Sequence, residues 1–235
     1  MIAVYSLEPH MQTGAVISAL IIVACAVGLT LDSSFYAGKP RRDFFVYYTN
    51  QSNLLVLLYF AFASPLLYTH GSALIAHAEF ALTMGILLTF FVFHCVLRPF
   101  VLRRLHAMRM TREDRMMIAS NVLLHYVVPL LTGLYWLLCS PGKSRLQAAD
   151  ALIWTAFPVL YLIFVFVRAP IRGNIHGTSC PYPYPFVNIQ RLGLKSVLRS
   201  CAVLYAVFTL GALMIVRIVQ TAYEYCGDGH AFFLV

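Results

Sequence analysis

Charge is scarce in this sequence. Lys, Arg, Asp and Glu make up 11% of its 235 residues, and only nine residues are acidic. A soluble domain carries roughly 25% charged residues and could not cover its surface with so few. Signature spacings are missing as well. There is no CxxC, no HExxH, no Walker loop and no GxGxxG. That removes the familiar zinc frameworks and nucleotide-driven pumping, and no metal or cofactor is expected. Thirteen glycines and six cysteines are too few for a collagen-like chain or a disulfide scaffold. No internal repeat stands out.

Apolar surface is abundant: 60% of the residues are hydrophobic, which also excludes disorder. They gather into six segments, roughly Thr13–Leu31, Val46–Tyr68, Ala78–Leu97, Ile118–Cys139, Ala148–Val167 and Val197–Val219. Each holds about 20 residues, and at 1.5 Å per residue that crosses a ~30 Å hydrocarbon core. Backbone polar groups in lipid must bond within the chain, so segments of this length are helices. The expected fold is all-α, a polytopic membrane protein forming one bundle of six transmembrane helices. The first segment reads as a span and not as a cleavable signal, since no Lys or Arg precedes it.

Fourteen of the 17 Lys and Arg residues fall in the first, third and fifth connectors. The positive-inside rule then places the odd connectors in the cytoplasm and both termini outside. The net charge of +8 is spread among these connectors, where it meets anionic head groups. A nucleic-acid tail would be one contiguous block, so no nucleic-acid partner is expected. Cys25, Cys95 and Cys201 read as apolar packing residues. Cys139 and Cys226 both fall on the outer side, where a disulfide between them can form. Acidic residues are read as lying outside the span interiors, which argues against a proton- or sodium-coupled transporter.

The informative residues are polar ones inside the spans. The densest set, Tyr47-Tyr48-Thr49-Asn50-Gln51-Ser52-Asn53, opens the second helix. Thr49 and Asn53 share a face at i, i+4, and Asn50 and Asn53 at i, i+3. Thr49 should sit about 7 Å inside the cytoplasmic edge. The fourth helix carries Ser120, Asn121, His125 and Pro129. His125 should lie about 13 Å deep, in the same leaflet as Thr49. Pro129 has no amide hydrogen, so the carbonyl of His125 loses its helical partner and a kink there opens space beside the imidazole. Taken alone, both sets read as helix–helix hydrogen bonding. His94 either lines the same vestibule or, as the favoured reading, sits among head groups. The segment Cys180-Pro181-Tyr182-Pro183-Tyr184-Pro185-Phe186 cannot be helical. It reads as an interfacial anchor in preference to a lid.

Thr49 to Asn53, His125 with Pro129, and the Pro-Tyr-Pro-Tyr-Pro-Phe loop, in that order, resemble the androgen-induced membrane protein family and its bacterial six-helix relatives. The resemblance covers nearly the whole chain. The animal members include hydrolases of fatty acid esters of hydroxy fatty acids, with an intramembrane threonine nucleophile and a histidine. Carried over, these roles fall on Thr49 and His125. The neighbourhood of Thr49 is closer to the bacterial branch, which implies a bacterial plasma membrane. That branch often has an acidic residue after the Pro-Phe loop, where this chain has Asn188.

The implied reaction is ester hydrolysis on a membrane lipid or fatty-acid ester. An ester carbonyl needs a nucleophile, a base within reach and an oxyanion donor. His125 would take the proton of Thr49, Asn50 or Asn53 would face the oxyanion, and Asn121 would orient His125. Two other classes remain open. One is a non-catalytic protein that binds or transports a lipid or small solute in the same polar cluster. The other is an electron-transfer protein with haem on His94 and His125.

Overall fold

The computed structural model describes residues 9–38, 40–65, 72–106 and 111–230, with side chains at 12–38, 40–65, 72–102 and 111–225. The side chains of Lys39, Arg103, Arg104, Arg109 and Cys226 therefore lie outside the described residues, and with them part of the connector charge and the Cys139–Cys226 pairing. No strand occurs among the described residues. Helix α1 is Pro9–Ser33, and α2 is Tyr48–Leu58 continued by a π turn, Tyr59–Ala63. Helix α3 runs through Ala73–Val92, a π turn at Phe93–Leu97, and Arg98–His106. Helix α4 runs through Arg112–Val122, a π turn at Leu123–Val127, and Val128–Cys139. Helix α5 is Asp150–Ile153 followed after a break by Ala156–Arg172, and α6 is Leu194–His230.

Five of these helices are long and apolar enough to cross a membrane: Gln12–Ser33, Ala73–Leu102, Arg112–Cys139, Asp150–Arg172 and Leu194–Tyr225. This is the character of an integral membrane protein. The sixth expected segment is helical too, as α2, but its Tyr-Thr-Asn-Gln-Ser-Asn opening lowers its apolarity below theirs. Exposed side chains along α6, including Leu198, Val203, Val207, Leu210, Met214 and Ile218, present the continuous apolar flank that lipid would cover.

The three π turns share one cause. Each ends two residues before a proline: Pro65, Pro99 and Pro129. A proline ring presses on the carbonyl four residues back and offers it no N–H. Widening the turn relieves both problems. The residue just before each proline then bonds five residues back: Ser64 to Tyr59, Arg98 to Phe93 and Val128 to Leu123. So the kink expected beside His125 takes the form of a π turn that contains it.

Helices α1 to α4 pack closely around Ile21, Cys25, Val56, Ile86, Val128 and Tyr135. The approach of α1 to α4 needs Gly28. A Cβ there would stand 2.5 Å from Leu124 Cδ2, and the Gly28 carbonyl accepts a bond from Ser120 Oγ at 3.1 Å. Helices α5 and α6 close the other side over aromatic residues, including Tyr48, Trp136, Trp154, Tyr161 and Tyr184.

One sequence expectation is corrected here. Acidic residues do enter a span interior, because Glu79 lies nearly two turns into α3 and is 2% exposed. Neither of its carboxylate oxygens makes a close hydrogen bond. Tyr59, Ser140 and Lys143 are its polar neighbours. Lys143 is itself buried and donates to the Leu137 carbonyl at the end of α4 at 2.5 Å. Burial pulls its ammonium below the ordinary lysine range. Asp150 pairs with His77 at 2.9 Å and accepts from the Gln147 amide at 2.7 Å. These contacts fold the fourth connector down onto the bundle end, which is why charge reaches below the predicted boundary.

Candidate functional site

A cavity of about 60 Å³ lies where α2, α3 and α4 meet α5, α6 and the fifth connector. That is room for a few water molecules. Thr49, Thr89 and His125 are its polar wall on the first three helices. Tyr48, Tyr161, Tyr184 and Tyr205 contribute rings, while Leu88, Val92, Leu162 and Leu204 keep the rest apolar. Cys201 of α6 also lines it.

Thr49 enters this space because α2 begins at Tyr48, directly after an extended Tyr47. Its first turn is thus aimed into the bundle from the cavity end. Asn53, one turn on, bridges α2 to α4: its Nδ2 donates to the Thr49 carbonyl at 2.8 Å and to the Leu124 carbonyl at 3.2 Å. That pair of bonds sets the first turns of α2 against the π turn of α4. His125 is placed by the π turn and by Phe93, on which its ring stacks at 3.9 Å and 14°. The main chain of Thr89 is a polar neighbour of the ring, and Nδ1 has no hydrogen-bond partner. Thr89 Oγ1 is engaged elsewhere, 3.1 Å from Ser52 Oγ.

The structure brings together Thr49, His125 and Asn53 and separates the other predicted site residues from them. Asn50 is buried but turned away, its Nδ2 donating to Asp32 Oδ2 at 2.7 Å and to the Phe44 carbonyl at 2.9 Å. Asp32 also pairs with Arg41 at 2.8 Å, so Asn50 serves the junction of α1 with the first connector. The Asn53 amide is likewise committed to two carbonyls. Asn121 is half-buried and makes no hydrogen bond to His125. A shared helix face aligns Cβ atoms, but stacking on Phe93 turns the imidazole toward α3 instead. His94 is exposed, stacks on Phe90 and lies 3.2 Å from the Tyr126 hydroxyl.

Tyr184 is the residue that sequence reasoning missed. The fifth connector folds against the bundle and buries Tyr184 against α2. The Thr49 amide donates to the Tyr184 hydroxyl at 3.4 Å, and Thr49 Oγ1 lies 3.4 Å from the same oxygen. So the hydrogen-bond partner of the Thr49 hydroxyl is Tyr184 and not His125. Asp43 of the first connector secures the fold. It accepts from Arg168 at 3.0 Å and from the His176 amide at 2.6 Å. Arg168 also donates to the carbonyls of Gly173 and Pro181, at 2.9 and 3.1 Å. Asn188 caps the short helix Ile189–Leu192 by accepting from the Arg191 amide, a role a neutral amide fills as well as a carboxylate. The signal in the sequence was the alternation of Pro with Tyr, which fixes where each ring points.

Comparison of the chain with family models, with curated proteins and with solved structures finds no match in any of the three.

Proposed function

We propose that the protein is an intramembrane hydrolase of lipid esters, with Thr49 as nucleophile and His125 as general base. The observation that carries this reading is that both residues line one apolar cavity, on two helices joined by Asn53. A carbonyl can only accept, so the Thr89 main chain favours a proton on the ring nitrogen that faces it. The other ring nitrogen then holds the lone pair a base requires. The bundle spans the membrane six times, with α2 as the second span. The basic odd connectors face the cytoplasm against anionic head groups, and both termini lie outside a bacterial plasma membrane. An ester enters laterally, its acyl chain among Leu88, Leu162 and Leu204, and water arrives from the cytoplasmic side.

A second reading has its own observation. The Thr49 hydroxyl is bonded to Tyr184, an arrangement equally suited to holding a lipid or small solute without reaction. Labelling with a fluorophosphonate probe in membranes, at matched expression, separates the two. Wild type should label, and Thr49→Ala and His125→Ala should not. Labelling that survives Thr49→Ala moves the nucleophile elsewhere. An unlabelled wild type leaves the binding reading.

A further inference from the structure

Thr49 is the second residue of α2, so its amide lies in the first turn and has no helical carbonyl to bond. That N–H reaches the hydroxyl of Tyr184 instead. Two donors, a main-chain amide and a phenol, thus converge beside the Thr49 oxygen, and His125 lines the same cavity. We infer that Tyr184 is a further catalytic residue: its hydroxyl, together with the Thr49 amide, is the donor pair for the oxyanion formed from an ester carbonyl. The inference rests on the hydrolase reading and supplies the group which that reading lacks.

The amides of Asn50 and Asn53 are spent on carbonyls and on Asp32, so neither is free to take the role. Tyr184 suits it. Burial holds its phenol above the ordinary tyrosine range, so it keeps its proton at neutral pH. Its ring is fixed by stacking on Phe186 at 5.5 Å and 6°, and its connector is tied to Asp43 through Arg168 and His176.

In the reaction, Thr49 Oγ1 bonds to the ester carbonyl carbon as its proton passes to His125. The carbonyl π pair moves onto oxygen, which accepts from the Tyr184 O–H and the Thr49 N–H. The pair returns, the bond to the alcohol oxygen breaks, and that oxygen takes the proton from His125. Water then repeats the sequence on acyl-Thr49, releasing the acid and restoring the threonine. Once Oγ1 is bonded to the carbonyl carbon the negative charge lies on the carbonyl oxygen, which is then the stronger acceptor for the Tyr184 O–H.

The test is turnover of p-nitrophenyl hexanoate by the full chain in membranes, with wild type, Tyr184→Phe and Thr49→Ala. The phenylalanine keeps the ring packing and removes only the hydroxyl. The expected result is a fall in kcat of about 100-fold in Tyr184→Phe, the size of losing one oxyanion donor, with KM within about threefold. Thr49→Ala should be inactive. A Tyr184→Phe protein with wild-type kcat, or with only KM changed, overturns the role of Tyr184 and leaves the hydrolase standing. A wild type that neither turns over nor labels with fluorophosphonate overturns both.

Discussion

Two buried polar regions sit at opposite ends of this bundle, and they solve the problem of polarity in an apolar interior differently. At the Glu79 end ionisable side chains are buried, and the fourth connector is pinned over them by the His77–Asp150 pair and by Lys143 on the Leu137 carbonyl. At the Thr49 end the polar groups are hydroxyls, amides and one imidazole beside open space, with His125 Nδ1 and Asn53 Oδ1 left without partners. Between them lies a layer of Ile21, Val56, Ile86 and Val128, all at most 1% exposed. Both ends keep polar atoms without close partners, but at the Thr49 end His125 lines a cavity, whereas the fourth connector covers Glu79. Reserve hydrogen-bonding capacity next to a cavity is what a reacting or binding site requires.

The widest separation of the two regions is in activity. His125→Gln should lower ester turnover about 10²–10⁴-fold, the usual contribution of a general base, with little change in melting temperature. Glu79→Gln should leave turnover intact, and a matching loss there would show that the two ends act as one site. Stability should separate them the other way. Glu79→Ala removes a buried carboxyl near Lys143 and leaves a void, and should cost about 1–3 kcal/mol, read as a lower unfolding temperature in detergent. Glu79→Ala combined with Lys143→Met should recover part of that loss; full additivity would mean the two groups do not interact.

A smaller effect tests the α1–α4 contact beside the Thr49 end. Gly28→Ala places a methyl against Leu124, the neighbour of His125, and should cost about 1–3 kcal/mol with a parallel drop in turnover. An unchanged melting temperature would show that α1 yields there at no cost. The smallest change concerns the tie between connectors. Asp43→Asn weakens the hold on Arg168 while keeping its shape, and should reduce kcat by about threefold, roughly 0.6 kcal/mol of lost positioning at a partly buried pair. Cys201 thiol labelling with maleimide, in a background without the other cysteines, should rise in the same variant as the cavity becomes more accessible.

How much of this was legible in the sequence differs between the two ends for physical reasons. Thr49, Asn53 and His125 stood out because polar side chains inside apolar runs are rare, and their depths followed from helical rise. Depth says nothing about azimuth, however. Asn50 shares the second helix with Asn53 yet serves Asp32, and Asn121 shares a helix with His125 without a hydrogen bond to it. Tyr184 was hidden because a tyrosine between prolines has the same amphipathic character at an interface as inside a bundle. Glu79 was passed over because α3 starts at Ala73, five residues before the predicted boundary at Ala78. The connector that covers it contributes burial that no hydropathy window registers.

The three π turns make the prolines into phase setters. A π turn consumes one residue more than an α turn, so everything beyond it is rotated by about 100° relative to an uninterrupted helix. Helices α2, α3 and α4 therefore each carry two faces cut from different angular frames. The residues on the N-terminal side of the widened turn and those beyond it face different partners: in α4, Ser120 meets Gly28 of α1, whereas Tyr135 meets Ser64 near the end of α2. Removing Pro129 would let α4 relax into a single frame, and Tyr135 and His125 could then no longer both keep their present neighbours.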